Sequence, residues 1–158
     1  MIKIYKNIIL LSFIILFTSC STTVDGINKP STVEIGSYKF MFPTKFYIEE
    51  CQGLDSYVGS IIGDGIEVYF DYGMYTSPSR QLSNDEFEAL EDEFEGHYRQ
   101  IIKPVDSKNQ VTRLHIFRIA DSIDNRYEFN KLTLSTKNIE KSDQEIIIET
   151  FKNIQIIE

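Results

Sequence analysis

The sequence predicts an α+β domain, a mostly antiparallel sheet covered by two helices. Three observations predict it. Apolar residues alternate in short runs, as in Tyr38, Phe40, Phe42 and in Ile66, Val68, Phe70, the period of strands that bury one face. Turn-forming residues separate the runs, above all Gly63-Asp64-Gly65, so neighbouring strands read as hairpins. Two stretches carry apolar residues behind a Ser-x-x-Glu capping box, Ser83 to Glu86 and Ser142 to Glu145, which marks helix starts.

Taken in order, the first strand covers Tyr38–Phe42 and ends at Pro43, which has no N–H for a ladder. Phe46 to Glu50 reads as a second. Tyr57–Ile62 and Ile66–Tyr72 form a hairpin, because Gly and Asp tolerate the positive φ that a tight turn demands. A helix is expected next: Phe87, Leu90, Phe94, Tyr98 and Ile101 share one helical face, acids fill much of the rest, and Pro104 closes the element. Gln110–Ala120 and Arg126–Ser135 read as a second hairpin across 121–125. A short helix follows through Ile146, Ile147 and Phe151, and Ile154–Ile157 reads as a last strand. The expected order is ββββ-α-ββ-α-β.

The N-terminus reads differently. Lys3 and Lys6 precede an apolar stretch from Ile8 to Phe17, broken only by Ser12. At about ten residues it suits a signal peptide and falls short of the about 20 residues a spanning helix needs. Leu16-Phe17-Thr18-Ser19-Cys20 resembles the lipobox of bacterial lipoproteins, with Phe17 where leucine is usual. The resemblance implies cleavage after residue 19 and acylation of Cys20. Two or more acyl chains are needed for stable anchoring, and a lipoprotein cysteine carries them. The expected organisation is a signal peptide over 1–19, a lipidated flexible tether over 20–33 that lacks apolar periodicity, and one domain over 34–158. Ser21 follows the cysteine where Asp often retains lipoproteins at the inner membrane, so the expected location is the outer membrane, facing the periplasm.

Charge narrows the partners. The 158 residues carry a net −8, and removing Lys3 and Lys6 with the leader takes it to −10. Such a balance opposes nucleic acid and anionic lipid, leaving the lipid on Cys20 as the expected membrane contact. With Cys20 acylated, Cys51 has no disulfide partner in the chain. It ends an apolar-alternating run, so a buried strand-end position is expected.

Residues for catalysis are hard to assemble. His97 and His115 stand in no metal-binding spacing and read as surface or half-buried residues. No G-x-S-x-G elbow occurs, Gly63-x-Gly65 lacks the lysine and helix of a phosphate loop, and the acids from Asp85 to Glu95 lack the alternation of a calcium loop. No catalytic residue, metal or cofactor is therefore assigned. One cluster stands out as a ligand or partner surface: Asp55, Tyr57, Asp64, Asp71, Tyr72 and Tyr75, acids and aromatics around a glycine-rich hairpin.

Tyr38-Lys-Phe-Met-Phe-Pro43, the hairpin and helix patterns, and the ending Glu149-Thr-Phe-Lys-Asn-Ile-Gln-Ile156 resemble the PsbP-like fold. That family includes accessory proteins of the photosynthetic oxygen-evolving complex and many small bacterial lipoproteins. Gly53-Leu-Asp-Ser-Tyr-Val-Gly59 and Phe70-Asp-Tyr-Gly73 also look like segments of small lipoproteins. The resemblance implies an α+β architecture and a non-catalytic accessory or binding habit. The expected function is a lipid-anchored envelope accessory or binding protein. Two alternatives stand beside it: an immunity lipoprotein against an envelope-targeted toxin, favoured by acidic charge, and a hydrolase using two facing carboxylates.

Overall fold

Alternating apolar residues do make strands here, and they make more of them than the sequence pattern suggests. A computed structural model describes residues 29–51, 53–74, 76–79, 85–106, 111–119 and 131–157. In chain order the strands are β1 (Ser31–Ile35), β2 (Tyr38–Phe42), β3 (Tyr47–Cys51), β4 (Tyr57–Gly63), β5 (Ile66–Gly73), β6 (Phe87–Phe94), β7 (His97–Pro104), β8 (Val111–Arg118) and β9 (Lys131–Lys137). Helix α1 (Lys141–Lys152) and β10 (Gln155–Ile156) close the fold.

Seven strands form one antiparallel sheet, in the order β3-β4-β5-β9-β8-β7-β6, and three form a second, β1-β2-β10. Among the described residues α1 is the one helix, so the expected α+β arrangement of a sheet beneath two helices is incorrect. The domain is mostly β. The core lies between the inner face of the large sheet and a cover made of the small sheet and α1. Tyr38, Phe40 and Phe42 of β2 are buried against Ile61, Val68, Phe70, Leu114, Ile116, Leu132 and Leu134 of the large sheet, with Ile147 and Phe151 of α1 beside them. Alternation along each strand sends these residues inward and their neighbours to the outer face.

The helix expected from Phe87 to Ile101 is instead the hairpin β6–β7, and the reason is physical. Glu95 and Gly96 both take positive φ, +50° and +75°. Two such residues make the primed turn that joins antiparallel strands, whereas a helix interior holds every residue at negative φ. The register then sets Glu88 opposite Lys103, Glu91 opposite Gln100 and Asp92 opposite Arg99. All three pairs bond: Glu88 to Lys103 at 2.7 Å, Gln100 Nε2 to Glu91 Oε1 at 2.7 Å, and Arg99 Nε to Asp92 Oδ1 at 2.8 Å. No helix brings residues so spaced together. Of the capping box assigned there, Glu86 lies in the turn that leads into β6 and Ser83 lies outside the described residues.

The β4–β5 hairpin forms as the sequence predicts, with Asp64 and Gly65 at φ +54° and +77°. The second expected hairpin also pairs, β8 with β9, from Val111↔Lys137 to Ile116↔Leu132, although residues 110 and 120–130 of that expectation lie outside the described residues. The last helix forms, but Glu140 stands at its N-cap without a side-chain hydrogen bond, and Ser142 lies inside the first turn. The tether expected over 20–33 overlaps β1 at residues 31–33. Ser31 Oγ donates to Thr44 O at 2.8 Å and accepts the Phe46 N–H at 2.7 Å, which ties the start of β1 to the β2–β3 connection.

Candidate functional site

Arg99 shows how the two layers are held in register. Its side chain is 8% exposed and grips Asp92 side-on, Nε donating to Oδ1 at 2.8 Å and Nη2 to Oδ2 at 2.5 Å. Nη1 donates to Lys152 O at 2.7 Å, a carbonyl of the last helical turn with no intrahelical partner. The guanidinium also lies 4.9 Å from the Phe94 ring centre. Beside it Asp92 is held below the ordinary carboxylate range, first by the Arg99 hydrogen bond. A cation at a helix C-terminus is also favoured by the helix dipole. The helix is thereby fixed beside β6, and a groove opens between them.

That groove has a volume of 490 Å³. Leu90, Ile101 and Ile148 supply its apolar floor, and Glu88, Lys103, Lys141, Glu145, Glu149 and Lys152 line it with charge. Leu90 is 40% exposed. Two of the three rim carboxylates are already engaged: Glu88 with Lys103, and Glu149 Oε1 with Asn153 Nδ2 at 2.8 Å. A second depression of 580 Å³ lies across the sheet, lined by Glu67, Tyr69, Lys137, Glu140 and Asp143 among others.

The six residues singled out in the sequence do not converge. Tyr57 and Tyr72 stand directly opposite each other on β4 and β5. Tyr57 Oη donates to Glu50 Oε1 at 3.0 Å, and its pKa is raised by burial and then by that carboxylate. Tyr72 meets Tyr38 edge-on at 6.3 Å. Asp71 falls on the other face of the sheet, where it pairs across to Val58 and Thr133. Asp64 sits in the turn at the far end of β4, about 20 Å from Tyr57 at 3.3 Å per residue. Asp55 is exposed in the bend before β4, and Tyr75 lies outside the described residues, as does Cys20. Cys51 is exposed, contrary to the expected burial, because β3 is an edge strand and the residue faces outward.

The histidines are corrected as well. Both are buried, His97 to 7% and His115 to 1% exposure, and they occupy opposite faces of the large sheet. His97 faces inward, edge-on to Tyr38 at 5.7 Å. His115 faces outward, where a strap of residues 76–79 crosses. Ser79 N–H donates to Gln100 Oε1 at 2.9 Å, and Gln100 Nε2 donates to Ser79 O at 3.1 Å. Arg113 Nη1 approaches Ser79 Oγ at 3.3 Å. Beneath the strap, His115 Nδ1 meets Thr133 Oγ1 at 2.9 Å, while Nε2 is buried without a hydrogen-bond partner among the described residues. Burial, then the charges of Lys131 and Arg113, lower its pKa to about 4. No local sequence signal foretells this network, since its contacts span 18 to 34 residues.

Among the described residues no group of three or more His, Cys, Asp or Glu is placed to hold a metal ion, and no helix is long and apolar enough to cross a membrane. No family model, no curated protein and no solved structure matches the chain. The resemblances stated above rest on the quoted sequence segments alone.

Proposed function

We propose that the chain is a lipid-anchored accessory or binding protein of the cell envelope, which acts by contact with a partner. The observation that carries this reading is the groove between β6 and α1. It has an apolar floor of Leu90, Ile101 and Ile148 and a charged rim, the make-up of a recognition surface, apolar at its centre and polar at its border. Two of its carboxylates are engaged, Glu88 by the Lys103 ammonium and Glu149 by the Asn153 amide, whereas a glycosidase needs two carboxyls held across a cleft as an acid–base couple. The signal-like segment over 1–19 and the lipobox-like run Leu16-Phe17-Thr18-Ser19-Cys20 support the anchor.

The test has two arms. Cys20→Ser is expected to move the protein from the membrane fraction to the soluble one and to abolish incorporation of radiolabelled palmitate. A variant that stays in the membrane fraction sinks the anchor. Chemical cross-linking in intact envelopes is expected to trap a defined partner. Recovery of the uncross-linked protein alone counts against action by contact.

A further inference from the structure

Strand β6 closes one side of the large sheet, and no strand among the described residues pairs with its outer edge. One contact sets the phase of that edge. Val105 N–H donates to Glu86 O at 2.9 Å, which makes Glu86 and Val105 a hydrogen-bonded pair one step beyond Phe87↔Pro104. Such pairs alternate along an antiparallel ladder. Glu88, Leu90, Asp92 and Phe94 therefore bond to β7. The N–H and C=O groups of Phe87, Ala89, Glu91 and Glu93 point to the free edge.

Exposed edges are usually blunted by proline, a bulge or a covering element. Here β6 runs in unbroken register from Phe87 to Phe94, without proline. Its protection is charge: residues 85–95 hold seven carboxylates and no lysine or arginine. That charge also selects the occupant. A second copy, pairing β6 to β6, sets acid against acid, which is unfavourable directly across strands. A basic strand meets the same residues with opposite charge. The two faces of an added strand differ. On the outer face it meets Glu91 and Glu93. On the inner face it passes Leu90 and the apolar floor of the groove.

We infer that the β6 edge and the groove beside α1 take an extended segment of a partner protein, alternating basic and apolar residues, as an eighth strand of the sheet. The inference rests on the contact reading above and names the partner's chemistry. Backbone bonds to Ala89 and Glu91 fix the register. Apolar side chains enter the groove, and basic ones pair with the outward glutamates.

The probe is a capped heptapeptide of alternating lysine and valine, fluorescently labelled, titrated into the full chain in mild detergent at low salt. Binding is expected, and the peptide with glutamate for lysine is expected to bind at least about tenfold more weakly, the effect of roughly 1.4 kcal/mol. Ala89→Pro removes a donor that faces the free edge and leaves the β7 ladder intact, so the fold is kept and affinity falls by about tenfold or more. Hydrogen exchange is expected to slow at Ala89 and Glu91 on binding, while Leu90, already bonded to β7, changes little. No binding at millimolar peptide overturns the inference. So does equal binding by the acidic peptide, or slowed exchange confined to another strand. If Ala89→Pro fails to fold, the exchange pattern of the unaltered chain decides. The Cys20→Ser assay reads the anchor independently, so the two failures are distinguishable.

Discussion

His115 is the residue whose chemistry departs furthest from the ordinary. It is buried beneath the 76–79 strap, with one ring nitrogen on Thr133 and the other unpartnered among the described residues. Three features make protonation unfavourable there: burial, Lys131 on β9 and Arg113 on its own strand. Gln100 of β7 and Ser79 of the strap add neutral dipoles. The folded pKa is about 4, below the value of about 6.5 in an unfolded chain. The unfolded state therefore binds the proton more readily, and acid favours unfolding. Stability from this group is complete above about pH 6.5 and is lost as pH falls from there towards 4. Urea midpoints across that window are expected to fall for the wild type and to flatten in His115→Leu. Parallel curves for the two proteins exclude His115 as the cause. Asp92 acts in a lower window. Its pKa is depressed, so its contribution is present above the unfolded carboxylate value and lost as pH drops through the folded one. The two effects are separable by pH.

At the scale of elements, the β6–β7 turn decides between helix and hairpin. Gly96 at φ +75° sits where an L side chain is strained by about 1–2 kcal/mol. Gly96→Val is expected to lower stability by about that amount. Glu95, at φ +50°, occupies the turn position that asparagine prefers. Glu95→Asn is expected to raise stability by about 0.5 kcal/mol, a few degrees in thermal midpoint. A rise with Gly96→Val removes the turn as the deciding feature. The same segment shows what was legible in the sequence. Phe87, Leu90, Phe94, Tyr98 and Ile101 fit a helical face, and that fit passes straight over Gly96. The competing signal is a mirror about Glu95-Gly96: acids at 88, 91 and 92 face Lys103, Gln100 and Arg99 at equal distances beyond the turn. Hairpins with Gly-Asp-Gly turns, the α1 helix and the Tyr38–Phe42 strand were readable because their signals are local. Strand β1 was not, because its alternation is short and Ser31 and Thr32 resemble tether. The groove beside β6 was hidden by the same helix assignment, since a helix there leaves no edge strand.

At the scale of the whole molecule, the two sheets share one core. The small sheet contributes Val33, Ile35, Tyr38, Phe40 and Phe42, each 3% exposed or less. Among the described residues it has three strands, one of them two residues long, and a sheet so small does not stand alone. Its stability is therefore borrowed from Leu114, Ile116, Leu132 and Leu134 of the large sheet, all fully buried. The chain should unfold in one step, with both sheets lost together. Leu134→Ala removes buried volume at the centre of the large sheet and is expected to cost about 2–5 kcal/mol. Native-state hydrogen exchange provides the check. Amides of Phe40 in β2 and of Leu114 in β8 are expected to share one opening free energy in the wild type, and both are expected to fall by the same amount in Leu134→Ala. An opening of β2 that leaves β8 protected, or a substitution felt in β8 alone, separates the sheets into independent units. A common loss ties the β6 edge to the same cooperative unit through Arg99, which joins β6, β7 and the last turn of α1. The groove then persists only while the entire core does.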